Sequence, residues 1–402
     1  MPNRAALASS FGFRHSFVIL VSSFVIAIVL TMRTTRTKKL PPFYTQVIGS
    51  LPRPKLVREL VTRRKEMPKA DYQRAMDDMI RFAIRLQETA GLDVVSDGEW
   101  RRWHYVGEFL ERIGGFERVR PFDHQGEKKF HDVVVRKIKP PKTPVFAKDA
   151  EFLRENTKRV TKFALPSPFL IAIRYWYADF SAKAYPTFEG FLTAIADIIA
   201  KEAKALAKVG IDIIQIDDPA LTYFCDRRLT GGQAMGIHDA RLRREWDTDK
   251  QFPLAMAAIN RIVEGLDAEV HLHCCHSVYK RQSDVIGDYK PILPRLKDAK
   301  IDRVNLEFAY QGTGNVDDLT LLPAHIGVGM GVIDVRGEKI QEVDQIAGLA
   351  EAGAKIVDPS RIALNPDCGF APDFGEPPTI DEAFEKLSRM CRAAKRVREK
   401  IG

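Results

Sequence analysis

From Tyr44 onward the chain alternates short apolar runs with long segments in which apolar residues recur every three or four positions. The short runs are Thr45–Ile48, Leu92–Ser96, Val160–Leu165, Ile211–Ile216, Ala268–His273, Asp302–Glu307, His325–Gly329 and Arg361–Asn365. Their near-continuous apolar character is that of strands covered on both faces, as in a parallel sheet. Tyr72–Ala90, Phe188–Val209, Gln341–Ala352 and Ile380–Glu399 carry the helical period, and Gly91 and Gly210 stop the first two. Eight strands with helical connections predict an α/β fold, a (β/α)8 TIM barrel, with an open doubly wound sheet as the competitor. The connection Arg101–Arg159 is abnormally long and reads as an insertion after the second strand, projecting over the barrel mouth.

Polar residues gather at one end of these strands. Ser50 follows the first, Asp97 and Glu99 the second, Asp217 and Asp218 the fourth, while His273, Cys275, Glu307 and Cys368 close the fifth, sixth and eighth. That end of a barrel is where active sites are built. His273 and Cys275 are two apart and share a strand face. With Glu307 and Cys368 they supply the sulfur, nitrogen and oxygen donors that zinc accepts in a tetrahedral array. Taken alone, an HxC pair is more often a core histidine beside a buried thiol. The grouping at strand ends is what favours a metal site. Cys274 points the other way and reads as core, and Cys225 and Cys391 read as structural or surface residues. Asp218 before Pro219 has the alternative of capping the next helix.

Composition changes the picture in two places. The net charge of +9 suggests an acidic partner, but residues 1–40 hold Arg4, Arg14, Arg33, Arg36, Lys38 and Lys39 and no acid. Removing those six leaves +3 for the rest, with no basic-aromatic stripe, so nucleic acid is not expected. Five scattered cysteines make no disulfide framework and fit reduced thiols in the cytoplasm. The segment 1–40 is a basic and apolar leader, separate from a barrel domain over 41–402. Its run Phe17–Leu30 is short for a spanning helix and lacks a small-x-small cleavage site. It reads as sequence upstream of a start at Met32, with a membrane anchor through residues 17–30 as the alternative and a cleaved signal as the third.

The motifs VIGSLPRP, SDGEWRR, IQIDDPAL, HLHCCHS, NLEF, GVGMGVIDV and LNPDCGF, in this order, resemble the catalytic domain of cobalamin-independent methionine synthase, in a short single-barrel form. The resemblance implies a zinc-dependent methyltransferase that moves a methyl group to the thiol of homocysteine. Methyltetrahydrofolate or a methylcorrinoid would be the donor. It makes His273, Cys275, Glu307 and Cys368 the zinc ligands, and places Ile48, Ser50, Glu99 and Asp217 around the amino-acid part of the substrate. Two positions depart from the family. Its histidine after the GVxD strand, the proton donor to the leaving pterin, is Arg336 here, which stays charged and is a poor acid. That leaves the role to water, His276, His325 or another group. Its pterin-stacking tryptophan falls near Arg174, with Trp176 two residues on. Zinc enzymes that resemble this family also open epoxides with coenzyme M, which is the alternative activity. A non-catalytic zinc-binding protein is the alternative from another class.

Overall fold

The computed structural model describes residues 36–124, 127–231, 246–278, 280–283, 285–371 and 376–401. The apolar leader run therefore lies outside the described residues. Among those described, no helix is long and apolar enough to cross a membrane.

Among the described residues there are ten strands: β1 (Tyr44–Thr45), β2 (Val94–Val95), β3 (Phe116–His124), β4 (Glu127–Val134), β5 (Val160–Pro166), β6 (Ile213–Asp217), β7 (Glu269–His273), β8 (Arg303–Glu307), β9 (Gly327–Ile333) and β10 (Ile362–Pro366). Eight of them form one parallel sheet in the order β1-β10-β9-β8-β7-β6-β5-β2. A parallel bridge between Gln46 and Val94 joins the two ends. The Asp93 N–H donates to the Thr45 carbonyl at 3.1 Å beside it. The sheet is thus a closed barrel, as the strand pattern predicts. Its surrounding helices include Lys69–Ala90, Phe188–Lys208, Val343–Ala354 and Ile380–Ile401, within three residues of the periodic segments.

The side-chain period of two sorts the barrel into an apolar jacket and a polar lumen. Outward residues such as Ile214, Ile216, Leu272, Val304, Leu306 and Leu364 are fully or almost fully buried under the helices. Inward positions carry Lys162, Gln215, Asn305 and Asn365, which with Gln46 form one hydrogen-bonded layer. Gln46 Nε2 donates to Asn305 Oδ1 at 3.1 Å and Asn365 Oδ1 at 3.3 Å, and Asn305 Nδ2 donates to Gln215 Oε1 at 3.0 Å. These long amides cross the lumen because β9 offers glycine there. A Cβ on Gly329 would sit 2.0 Å from Asn305 Oδ1 and 2.3 Å from Asn365 Oδ1. This explains why β9 lies two to four residues beyond the run His325–Gly329. Glycines weaken a strand by propensity, but here they are the residues the lumen requires.

Lys162 is the charged member of that layer. Its Nζ donates to Gln215 Oε1 at 2.9 Å and Gln46 Oε1 at 3.2 Å. Burial pulls its pKa down to about 7, against the opposing pull of Asp217 and Glu99. Because this lies below the value in an unfolded chain, the unfolded state binds more protons between neutral pH and the ordinary lysine range. Stability must therefore rise with pH across that window and lose this increment as pH falls through the folded value. Lys162→Met is expected to flatten the rise by about 2 kcal/mol between roughly pH 7 and pH 9. Urea midpoints of the two proteins check this, and parallel pH profiles would contradict it.

The insertion contributes the helix Gly107–Ile113, the antiparallel hairpin of β3 and β4, and the helix Ala147–Glu155. The hairpin packs against the helices Pro168–Tyr175 and Ala178–Ser181 that follow β5. Among its described residues the start of the insertion, at Trp103, His104 and Tyr105, reaches the cavity described next.

Candidate metal centre and substrate pocket

A cavity at the carboxyl ends of the strands is lined by Ile48, Ser50, Glu99, Asp217, His273, Cys275 and Cys368, together with Arg53 and the Trp103–Tyr105 segment. Seven of the eight residues that the resemblance assigns to the site therefore face one space. Three of them converge: the ligand atoms of His273, Cys275 and Cys368 all lie within 4.8 Å of one another.

β7 ends at His273, and the strand alternation then carries Cys275 to the same side while Cys274 is fully buried. Cys368 comes from the turn after β10, and the residue before it fixes that turn. The Asp367 carboxylate accepts the N–H groups of Phe308 at 3.0 Å, Ala309 at 3.1 Å and Tyr310 at 2.8 Å, tying the β8 and β10 loops together. Sequence reasoning missed Asp367. Its signal was present in the sequence: a short acceptor next to a candidate ligand, at a strand end where backbone donors are in surplus.

The imidazole of His273 is oriented for a metal. Its Nδ1 contacts Asp217 Oδ1 at 3.1 Å, and its Nε2 is buried with no hydrogen-bond partner among the described residues. Asp217 Oδ1 also accepts from Gln215 Nε2 at 2.7 Å. A carboxylate holding one ring nitrogen while the other faces sulfur is the arrangement of metal-ligating histidines. Burial alone would lower the His273 pKa, but Cys275 and Asp217 outweigh it and hold it up at about 10. The Cys368 thiol donates a hydrogen bond to the Cys275 sulfur, and with His273 this brings Cys275 down to about 5 despite burial, while Cys368 is pushed well above the usual thiol range. Two cysteine sulfurs and an imidazole nitrogen within 4.8 Å of one another are a donor set that a divalent ion binds with release of protons. The residues fit a metal.

The Glu99 carboxylate, which lines the same cavity, is held equally closely. Glu99 has φ of +59° at the end of the SDGE turn and is buried. Burial raises its pKa, and nearby Asp217 adds to the rise while Arg102 opposes it. A Cβ on Gly49 would lie 2.2 Å from Glu99 Oε1, so glycine lets that carboxylate pass against the β1 loop. Ser50 Oγ accepts the Ala371 N–H at 3.3 Å, beside the Cys368 turn.

Glu307 is placed differently. It ends β8 and is fully buried, but it is outside the cluster of three and does not line the cavity. Oε1 accepts from Arg336 Nη2 at 2.7 Å, and Oε2 accepts the His276 N–H at 3.1 Å and faces His276 Nδ1 at 2.8 Å. Arg336 is thus a partner of Glu307. His325 Nε2 lies 3.2 Å from the Ala299 carbonyl, and neither His276 nor His325 lines the cavity. Trp176 is also elsewhere, its indole donating to the Tyr185 carbonyl at 3.0 Å and packing edge-on against Phe188. Arg174 lies near the hydroxyls of Tyr105 and Tyr223, each at 3.4 Å.

Fold and site together define a barrel enzyme with a sulfur- and imidazole-rich centre at its catalytic end. The sequence profile described as "Cobalamin-independent synthase, Catalytic domain" matches residues 43–162 and 187–396. Methionine synthase of Pyrococcus abyssi is 29% identical over 368 residues, covering 90% of this chain and 95% of its own. Methionine synthase of Sulfurisphaera tokodaii is 30% identical over 371 residues, with 90% and 95% covered. A solved B12-independent methionine synthase from Shewanella sp. W3-18-1, in complex with selenomethionine, superposes with a TM-score of 0.70 at 25% identity, over 89% of this chain and 98% of that one. The chain belongs to the cobalamin-independent methionine synthase catalytic-domain family. It is a methyltransferase of that family.

Proposed function

We propose that this protein transfers a methyl group to the thiol of homocysteine, giving methionine, at a zinc ion held by His273, Cys275 and Cys368. The observation that carries the reading is the cavity that these three residues share with Ile48, Ser50, Glu99 and Asp217. Zinc bound there would lower the pKa of a thiol so that it reacts as a thiolate near neutral pH.

The chain's own residues supply the rest. Glu99 and Asp217 are two neighbouring carboxylates whose mutual repulsion a substrate ammonium relieves. Both protein hydrogen bonds to Asp217 fall on Oδ1, which leaves Oδ2 for the substrate among the described residues. The Ser50 hydroxyl, on the cavity wall, supplies a donor for the substrate carboxylate. Trp103, His104 and Tyr105 form the aromatic wall through which a planar donor would approach the sulfur.

A donor screen against homocysteine, read as methionine formed, tests the proposal. Methyltetrahydrofolate or a methylcorrinoid is expected to support turnover. If neither does, while the protein consumes an epoxide in the presence of coenzyme M, the alkyl donor is different and the methionine reading fails.

A further inference from the structure

The polar layer of the lumen, Gln46, Lys162, Gln215, Asn305 and Asn365, is fully buried. Within it Gln215 stands two residues before Asp217 on β6, so both side chains leave the strand on its lumen face, Gln215 deeper in the barrel. A side-chain amide fits its surroundings either way round until a neighbour dictates which end is the oxygen. Here a cation dictates it. Lys162 Nζ can only donate, and it donates to Gln215 Oε1 at 2.9 Å, beside Asn305 Nδ2 at 3.0 Å. That leaves Gln215 Nε2 to donate to Asp217 Oδ1 at 2.7 Å and to the Ile48 carbonyl at 2.9 Å. With two bonds accepted and two donated, the amide has no capacity left over. Both residues that receive its donors line the cavity, one at the end of β6 and the other just after β1. Asp217 Oδ1 also faces His273 Nδ1, so the amide and the imidazole grip the same oxygen.

Resting on the reading of Asp217 as a holder of the substrate ammonium, we infer that Gln215 is a positioning residue for that ammonium subsite. It does not line the cavity and acts only through the residues above it. Fixing Oδ1 sets the direction of Oδ2, the oxygen left for the substrate, and the same amide ties the Ile48 backbone to that carboxylate. A carboxylate already held in its binding direction takes up a cation without the cost of ordering itself. Lys162 serves the subsite at one further remove, because its charge decides which end of Gln215 meets Asp217.

Calorimetric binding of two thiols to the zinc-loaded full-length chain tests the inference without turnover. One is homocysteine and the other is γ-mercaptobutyrate, which is homocysteine without its amino group. Both offer the same sulfur and carboxylate, so a defect confined to the ammonium subsite appears with the first alone. Gln215→Met is expected to weaken homocysteine by about tenfold, the loss of one hydrogen bond to a charged group, and to leave γ-mercaptobutyrate within about twofold of native. An equal loss for both thiols would make Gln215 a general packing residue, and unchanged homocysteine binding would show that Asp217 needs no anchor. Either result overturns the inference. Should the lysine left without its acceptor unfold Gln215→Met, the double variant Lys162→Met/Gln215→Met removes both partners of that bond and carries the same expectation. Native protein that holds the two thiols equally well has no ammonium subsite, which overturns the reading of Asp217 and the inference together.

Discussion

Cys368→Ala is expected to lower zinc affinity by about two orders of magnitude and to abolish methyl transfer, with the fold intact. A four-ligand zinc site is worth roughly 10–16 kcal/mol, so one thiolate carries about 3 kcal/mol, which is close to a hundredfold in affinity. The fold should survive because Cys368 faces the cavity and is only partly buried, so truncation opens no sealed void. The turn that carries it is fixed by the Asp367 carboxylate and not by the thiol. Competition with a chromophoric chelator measures the affinity, and circular dichroism reports the fold. Unchanged zinc binding in a folded Cys368→Ala protein would show that this sulfur does not touch the ion.

Asp217→Ala has the second largest expected effect, and it separates two roles that meet in one side chain. Removing the acceptor of His273 Nδ1 frees the ring to adopt the wrong tautomer and leaves a buried donor unpaired. Zinc affinity should fall about 10- to 100-fold, in the range known for partners of metal-bound histidines. Asp217→Asn keeps an oxygen acceptor and should recover most of the metal affinity. It removes the charge, so it should still raise the KM for homocysteine more than it lowers kcat. If Asp217→Asn leaves KM unchanged while zinc binding falls, Asp217 serves the histidine alone and Glu99 holds the ammonium without it.

Much of this was legible in the chain before any coordinates. The barrel followed from the eight apolar runs. The site followed because HLHC, NLE and NPDC end their strands in polar groups, which an apolar jacket has no use for. The strand limits were less accurate at β9, where the glycines of GVGMGVI look like strand breakers. Their reason is the pair of asparagines on β8 and β10 that cross the lumen. The interactions around the ligands were not legible. Asp217 is 56 residues from His273 and Arg336 is 29 from Glu307 in sequence, and no local period links them. Sequence similarity placed Glu307 among the metal ligands, but only the packed structure shows the guanidinium that engages it. Trp176 shows the same limit. The resemblance puts it two residues beyond the pterin-stacking position, and its indole is used by the Tyr185 carbonyl.

The central claim is that His273, Cys275 and Cys368 together hold one zinc ion at the barrel mouth. Elemental analysis of reduced, purified protein combined with zinc X-ray absorption tests it most directly. One zinc per chain with two sulfur neighbours at about 2.3 Å and nitrogen or oxygen completing the shell is the predicted result. Absence of zinc, or a shell without sulfur, would contradict it.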